Sequence, residues 1–177
     1  MAFTHWIAGG AVLLCCTAAY WDLRYRRIPN ALTFPAVAVA LCLHGATHSG
    51  QGLLLSLAGA LAAGAVLLPG YAMRFTGAGD VKLLMAVGAF LAFPNALIAA
   101  FLSLLIGGLF SVIVAARRKG LGELIWRSLG LGRWLLVRYS GVPEARPRSS
   151  GRSVPLGVAI AIATTVVVFS HWMGGMR

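Results

Sequence analysis

The chain has 177 residues, 59% hydrophobic and only 11% charged, with a mean hydropathy of +0.85; this excludes an ordinary soluble domain and places the chain in lipid. Its formal charge of +11 does not point to nucleic acid, because Lys and Arg cluster between apolar runs instead of covering a folded surface. Cys15, Cys16 and Cys42 lie inside apolar runs with no CxxC pair; they indicate neither a metal site nor a disulfide framework and read as small buried hydrophobes.

The N-terminal Met-Ala-Phe-Thr-His-Trp lacks the basic region of a secretory signal, so the first apolar run, about 3–21, is read as a membrane span. Asp22-Leu-Arg-Tyr-Arg-Arg-Ile-Pro-Asn30 closes it with a turn signal. A second span of about 31–46 and a third of about 53–73 follow, separated by the neutral loop Thr47 to Gly52. Arg74 to Asp80 is the next polar gap, and the apolar stretch after it, 81–116, would be about 54 Å long as one helix. Pro94 breaks it, giving spans of about 81–93 and 96–116.

Beyond Arg117, the stretch 121–139 carries too many arginines to cross a bilayer and reads as an interfacial helix with snorkelling side chains. Residues 140–152 read as a flexible loop, and a sixth span covers about 153–172. The expectation is an all-α integral membrane protein with six transmembrane helices in a single polytopic domain, 1–177, with a cytoplasmic loop at about 117–152.

Charge placement tests that count. Six crossings put the loops 22–30, 74–80 and 117–152 on one face, and of the 15 Lys and Arg residues only Arg177 lies away from it. That face is therefore assigned to the cytoplasm and both termini to the outside.

Of the four acidic residues, Glu123 and Glu144 fall in the charged cytoplasmic segment, where a solvated role suffices. Asp22 and Asp80 each sit where an apolar run meets a polar loop, and the topology brings both to the same membrane edge. Two carboxylates at one depth in a poorly solvated place share a single proton, because desolvation and like-charge repulsion disfavour double ionisation. Such a pair works as acid and base on a water molecule without a metal or covalent nucleophile. Each aspartate alone also admits a structural reading: Asp22 as an ion-pair partner of Arg24 or Arg26, Asp80 as an N-cap.

The flanking residues carry a resemblance. Asp22-Leu-Arg-Tyr-Arg-Arg-Ile-Pro-Asn30 and Gly77-Ala-Gly-Asp-Val-Lys82 resemble the two signature blocks of the type IV prepilin peptidase family, the GxGD membrane aspartic proteases, and Val154-Pro-Leu-Gly-Val-Ala159 looks like the block that opens that family's last span. The resemblance implies that Asp22 and Asp80 are the catalytic pair, and that prepilins or pseudopilins lose a short basic leader on the cytoplasmic side of the membrane. Gly77, Gly79, Lys82, Arg24, Pro29 and Asn30 are the accompanying candidates for shaping the loop or binding substrate. Gly77 and Gly79 are expected to adopt positive φ and admit substrate backbone close to Asp80.

Larger members carry a cysteine-paired insertion near the first loop and methylate the new N-terminus. The nine-residue loop here, without CxxC pairs, implies a peptidase lacking methyltransferase activity, closest to the small enzymes of tight-adherence (Flp) pilus systems. No cofactor and no metal are implied. The expected partners are the substrate, membrane lipid and pilus or secretion assembly machinery, in a bacterial cytoplasmic membrane. His5, His44, His48 and His171 fall at the opposite ends of the spans and read as interfacial packing.

A small proton- or cation-coupled transporter or an assembly scaffold is the competing class, but coupling carboxylates lie near the bilayer midplane rather than at its edge. A presenilin-like protease shares the chemistry; Trp21 before Asp22 and the lack of a Pro-Ala-Leu block separate it.

Overall fold

The structure, a computed structural model, describes residues 5–25, 27–72, 76–117 and 156–174. All regular secondary structure among them is helical: α1 (His5–Tyr25), α2 (Asn30–Ala72), α3 (Ala78–Leu91), α4 (Asn95–Arg117) and α5 (Leu156–Gly174). The expected interfacial helix and loop at 117–152 lie almost wholly outside the described residues. Residues through Gly107, with α5, form one compact unit, and the end of α4, 108–117, belongs to a second.

Four of the described helices, α1, α2, α4 and α5, are long and apolar enough to cross a membrane. At 43 residues α2 would run about 65 Å if straight, roughly twice the thickness of the hydrocarbon core. It reverses at His48 (φ −130°, ψ 18°) and Ser49 (φ 52°, ψ −146°). The expected six-residue loop is thus compressed to two residues, leaving limbs at 30–47 and 50–72.

The side-chain register gives the directions. In the first limb, Asn30 meets Lys82 and His44 meets Phe90, so this limb runs parallel to α3. In the second, the Ser56 hydroxyl donates to the Ala89 carbonyl at 2.7 Å, and Gly64 packs against Met85, so that limb runs antiparallel. Gly10 lies under Phe90, while Asp22 lies within electrostatic reach of Asp80, so α1 is antiparallel to α3. Asn95 meets His171 and Gly107 meets Leu156, which makes the start of α4 antiparallel to α5.

At 14 residues α3 is about 21 Å long, too short to cross on its own and shorter than the 81–93 span expected at its C-terminal end. Every residue from Leu83 to Leu91 except Met85 is buried. A helix apolar on all sides belongs at the centre of a bundle, and the others present stripes to it. On α1 the buried positions are Ile7, Ala11, Leu14, Cys15, Ala18 and Asp22, one face at helical spacing. Asp22 is the next step on that stripe after Ala18, and helical periodicity carries it into the interior.

Phe93–Pro94 separates α3 from α4, as the apolar stretch required, with Ala92 at φ 54° and Phe93 N–H donating to the Leu55 carbonyl at 3.0 Å. Two readings of side chains need correction. Cys15 is buried, but Cys16 and Cys42 lie on the exterior, where lipid is as apolar as a core. His44 is an interior residue bonded to the Phe90 carbonyl at 3.0 Å, not an interfacial one.

Candidate active site

Asp22 occupies the last turn of α1 and is 8% exposed. The C-terminal end of a helix presents unpaired carbonyls that disfavour a negative charge. That cost is offset from across the bundle: Gly157 N–H, in the first turn of α5, donates to Asp22 Oδ2 at 3.0 Å in a buried position. A Cβ at residue 157 would lie 2.8 Å from that oxygen, so only glycine lets the two helices approach this closely. Arg24, one candidate ion-pair partner, is exposed; Arg26 lies outside the described residues.

Asp80 lies in the first turn of α3, inside the helix rather than in the preceding loop. Its Oδ2 accepts the Gly77 N–H at 3.1 Å, so the cap residue is Gly77 and Asp80 supplies the returning acceptor. The Asp80 carboxyl is largely buried and lies within electrostatic reach of Asp22.

The glycines act through space rather than through positive φ. Gly77 has φ −77° and ψ 152°, ordinary extended backbone, and Gly79 is helical. A Cβ at Gly77 would stand 3.3 Å from Asp80 Oδ2, and one at Gly79 would stand 3.3 Å from the Ile28 Cβ. Gly79 therefore lets the Ile28–Pro29–Asn30 segment seat directly on the turn that bears Asp80.

A second tie joins the two blocks. Lys82 Nζ donates to Asn30 Oδ1 at 3.0 Å and stands 5.4 Å from the centre of the Phe34 ring. Pro29 starts α2 by offering its carbonyl to Leu32 N–H. Lys82 thus fixes the start of α2 against α3. Lys82→Met, which keeps the stem over Phe34, is expected to lower any activity of the site about three- to tenfold, the worth of one net hydrogen bond. Asn30→Ala should cost the same and the double variant no more than either, since both remove one interaction.

The structure brings Asp22, Asp80, Gly77, Gly79, Pro29, Asn30 and Lys82 to one end of the bundle and leaves Arg24 on the exterior. The sequence reading missed Gly157 as a site residue, although it lies in the 154–159 block; a glycine in the first turn of an otherwise apolar helix was the available signal. His44, His48 and His171 sit at the other end of the bundle, as expected, and no group of three metal-ligating side chains occurs among the described residues.

Comparison with known proteins points to one family. The model of the type IV leader peptidase family matches residues 10–112, more than half of the chain and including both aspartates. Over 95 residues the chain is 35% identical to prepilin peptidase EppA of Methanothermobacter thermautotrophicus, an alignment covering 50% of this chain and 24% of that protein. The chain thus matches about a quarter of the length of this curated relative. No solved structure matches the chain.

Proposed function

The chain belongs to the type IV leader peptidase family, and on that premise we propose that it is a membrane-embedded aspartic endopeptidase that removes the short basic leader of a prepilin or pseudopilin, with Asp22 and Asp80 as the catalytic pair. The observation that carries the reading is the convergence of the two aspartates, 58 positions apart in the numbering, at one end of the bundle and within electrostatic reach of each other.

The chemistry needs one proton on the pair. The ionised carboxylate accepts a proton from water as the oxygen attacks the scissile carbonyl. The protonated carboxyl stabilises the oxyanion, then delivers its proton to the leaving amine as the C–N bond breaks. No further group is called on.

We read α1, the two limbs of α2, α4 and α5 as crossings and the short α3, enclosed among them, as completing a six-pass bundle, with the aspartate end facing the cytoplasm. The alternating directions of the helices and the concentration of Lys and Arg near that end support this. The short connection between α1 and α2 leaves no room for a cysteine-paired insertion, which supports a peptidase without methyltransferase activity, of the tight-adherence pilus branch. A bacterial cytoplasmic membrane is the corresponding location.

Mass spectrometry of candidate pilins from cells with and without this protein tests the reading; pilins that carry the same N-terminus in both would refute it.

A further inference from the structure

The end of the bundle opposite the aspartates carries two imidazoles four positions apart on one helix. We propose that His44 and His48, at the reversal of α2, form a binding site for a transition-metal cation of the zinc class, held by His44 Nδ1 and His48 Nε2 with water completing the coordination. This goes beyond the peptidase reading and does not rest on it.

The hydrogen bonds around each ring decide which nitrogen is available. His44 is buried, and its Nε2 lies 3.0 Å from the Phe90 carbonyl oxygen. A carbonyl only accepts, so Nε2 carries the proton. The other nitrogen, Nδ1, is buried too and has no hydrogen-bond partner among the described residues, an arrangement that native interiors rarely leave unused. At His48 the argument passes through Thr47, whose hydroxyl gives its single proton to the Leu43 carbonyl at 2.8 Å. In the 2.8 Å contact between Thr47 Oγ1 and His48 Nδ1 the imidazole N–H is therefore the donor, which leaves Nε2 with its lone pair. Both rings thus commit one N–H to an oxygen and keep the other nitrogen unprotonated, as metal-ligating histidines do.

Spacing and surroundings suit one ion. Histidines at i and i+4 share a helix face, the arrangement by which zinc enzymes place two ligands on one helix. The two rings stand 6.3 Å apart, 35° from parallel; imidazoles bound to one zinc at about 2.0–2.1 Å have centres roughly 5–6 Å apart. A small turn of the half-buried His48 closes that gap, and the exposed Thr47, Ser49 and Gly50 beside it give the ion a way in. A Cβ at Gly52 would collide with the His44 carbonyl and the His48 Cβ, so the second limb closes directly over the backbone joining the two rings. Neutral nitrogen donors select zinc, nickel or copper over magnesium or calcium.

The full-length chain, purified in micelles without a polyhistidine tag and stripped with a chelator, is titrated with Zn²⁺ by calorimetry. One saturable ion per chain is expected. His48→Gln can still donate to Thr47 and His44→Gln to the Phe90 carbonyl, yet each should weaken zinc binding at least about tenfold, since a lost ligand costs no less than a lost outer partner. His171→Gln, at the same end but bonded to Asn95, should bind as the wild type does. Zn²⁺ should raise the melting temperature of the wild-type protein, and Mg²⁺ should not. X-ray absorption at the zinc edge should show two imidazole nitrogens at about 2.0–2.1 Å and no sulfur.

Absence of saturable zinc binding in the wild type, unchanged affinity in His48→Gln, or a sulfur shell supplied by the exposed Cys42 overturns the site. Should His44→Gln not fold, His48→Gln, at its half-buried position, decides the matter. No readout uses cleavage, so failure of this site and failure of the peptidase reading are told apart.

Discussion

Replacing either aspartate by asparagine is expected to lower leader removal about 10³- to 10⁴-fold, the scale of a lost general acid or base, while the chain accumulates in the membrane as before. Asparagine suits the test because its carbonyl oxygen can still accept the N–H of Gly157 or Gly77, so the helix ends stay satisfied. Alanine would leave the buried Gly157 amide without an acceptor, at about 1–3 kcal/mol, and confuse instability with lost chemistry. Because the two carboxylates act on one water as a unit, the double asparagine variant should be no slower than either single one. Mass spectrometry of the pilin N-terminus, alongside a thermal melt of the solubilised protein, reads both effects. If membranes containing Asp80→Asn still trim a co-expressed prepilin at a measurable fraction of the wild-type rate, the dyad is not the catalyst.

The parts of this site visible in the sequence are those governed by local rules. The repeat that places Ile7, Ala11, Leu14 and Ala18 on one buried face of α1 also places Asp22 there, and Pro94 marks the end of α3 because proline cannot continue a helix. Other features depend on contacts that no window of sequence contains. The Gly157–Asp22 bond spans 135 positions, and nothing near either residue specifies the other. Hydropathy does not separate Cys15 from Cys16 or Cys42, since the bundle interior and the lipid are alike apolar; what distinguishes an interior face here is small side chains. For the same reason the pattern of the GxGD block suggests backbone freedom, whereas its glycines serve close approach: Gly79 to Ile28 and Gly77 to Asp80. The tight reversal at His48–Ser49 was likewise hidden in a neutral stretch, because its driving force is the packing of both α2 limbs on α3.

That packing sets the second large expectation. Gly59 on α2 and Gly88 on α3 face each other so closely that a Cβ on Gly88 would lie 2.5 Å from the Gly59 carbonyl oxygen and 2.7 Å from the Ala63 Cβ. A Cβ on Gly59 would in turn lie 2.5 Å from the Gly88 carbonyl oxygen. The obstruction is mostly backbone, so no rotamer change relieves it, and the helices themselves must separate. Gly88→Ala should destabilise by about 1–3 kcal/mol, the usual cost of overpacking, and Gly88→Leu by more than a single bundle of this size withstands. Separation would also break the Ser56–Ala89 bond one turn away and shift Asp80 relative to Asn30 and Asp22, so activity should fall with the fold rather than after it. Gly9, where a Cβ meets nothing within 4 Å, supplies the control: Gly9→Ala should be neutral or slightly stabilising through helix propensity. A Gly88→Leu protein that melts and processes pilin like the wild type would mean that the α2–α3 seam does not position the dyad, and the short central helix would lose its part in the mechanism.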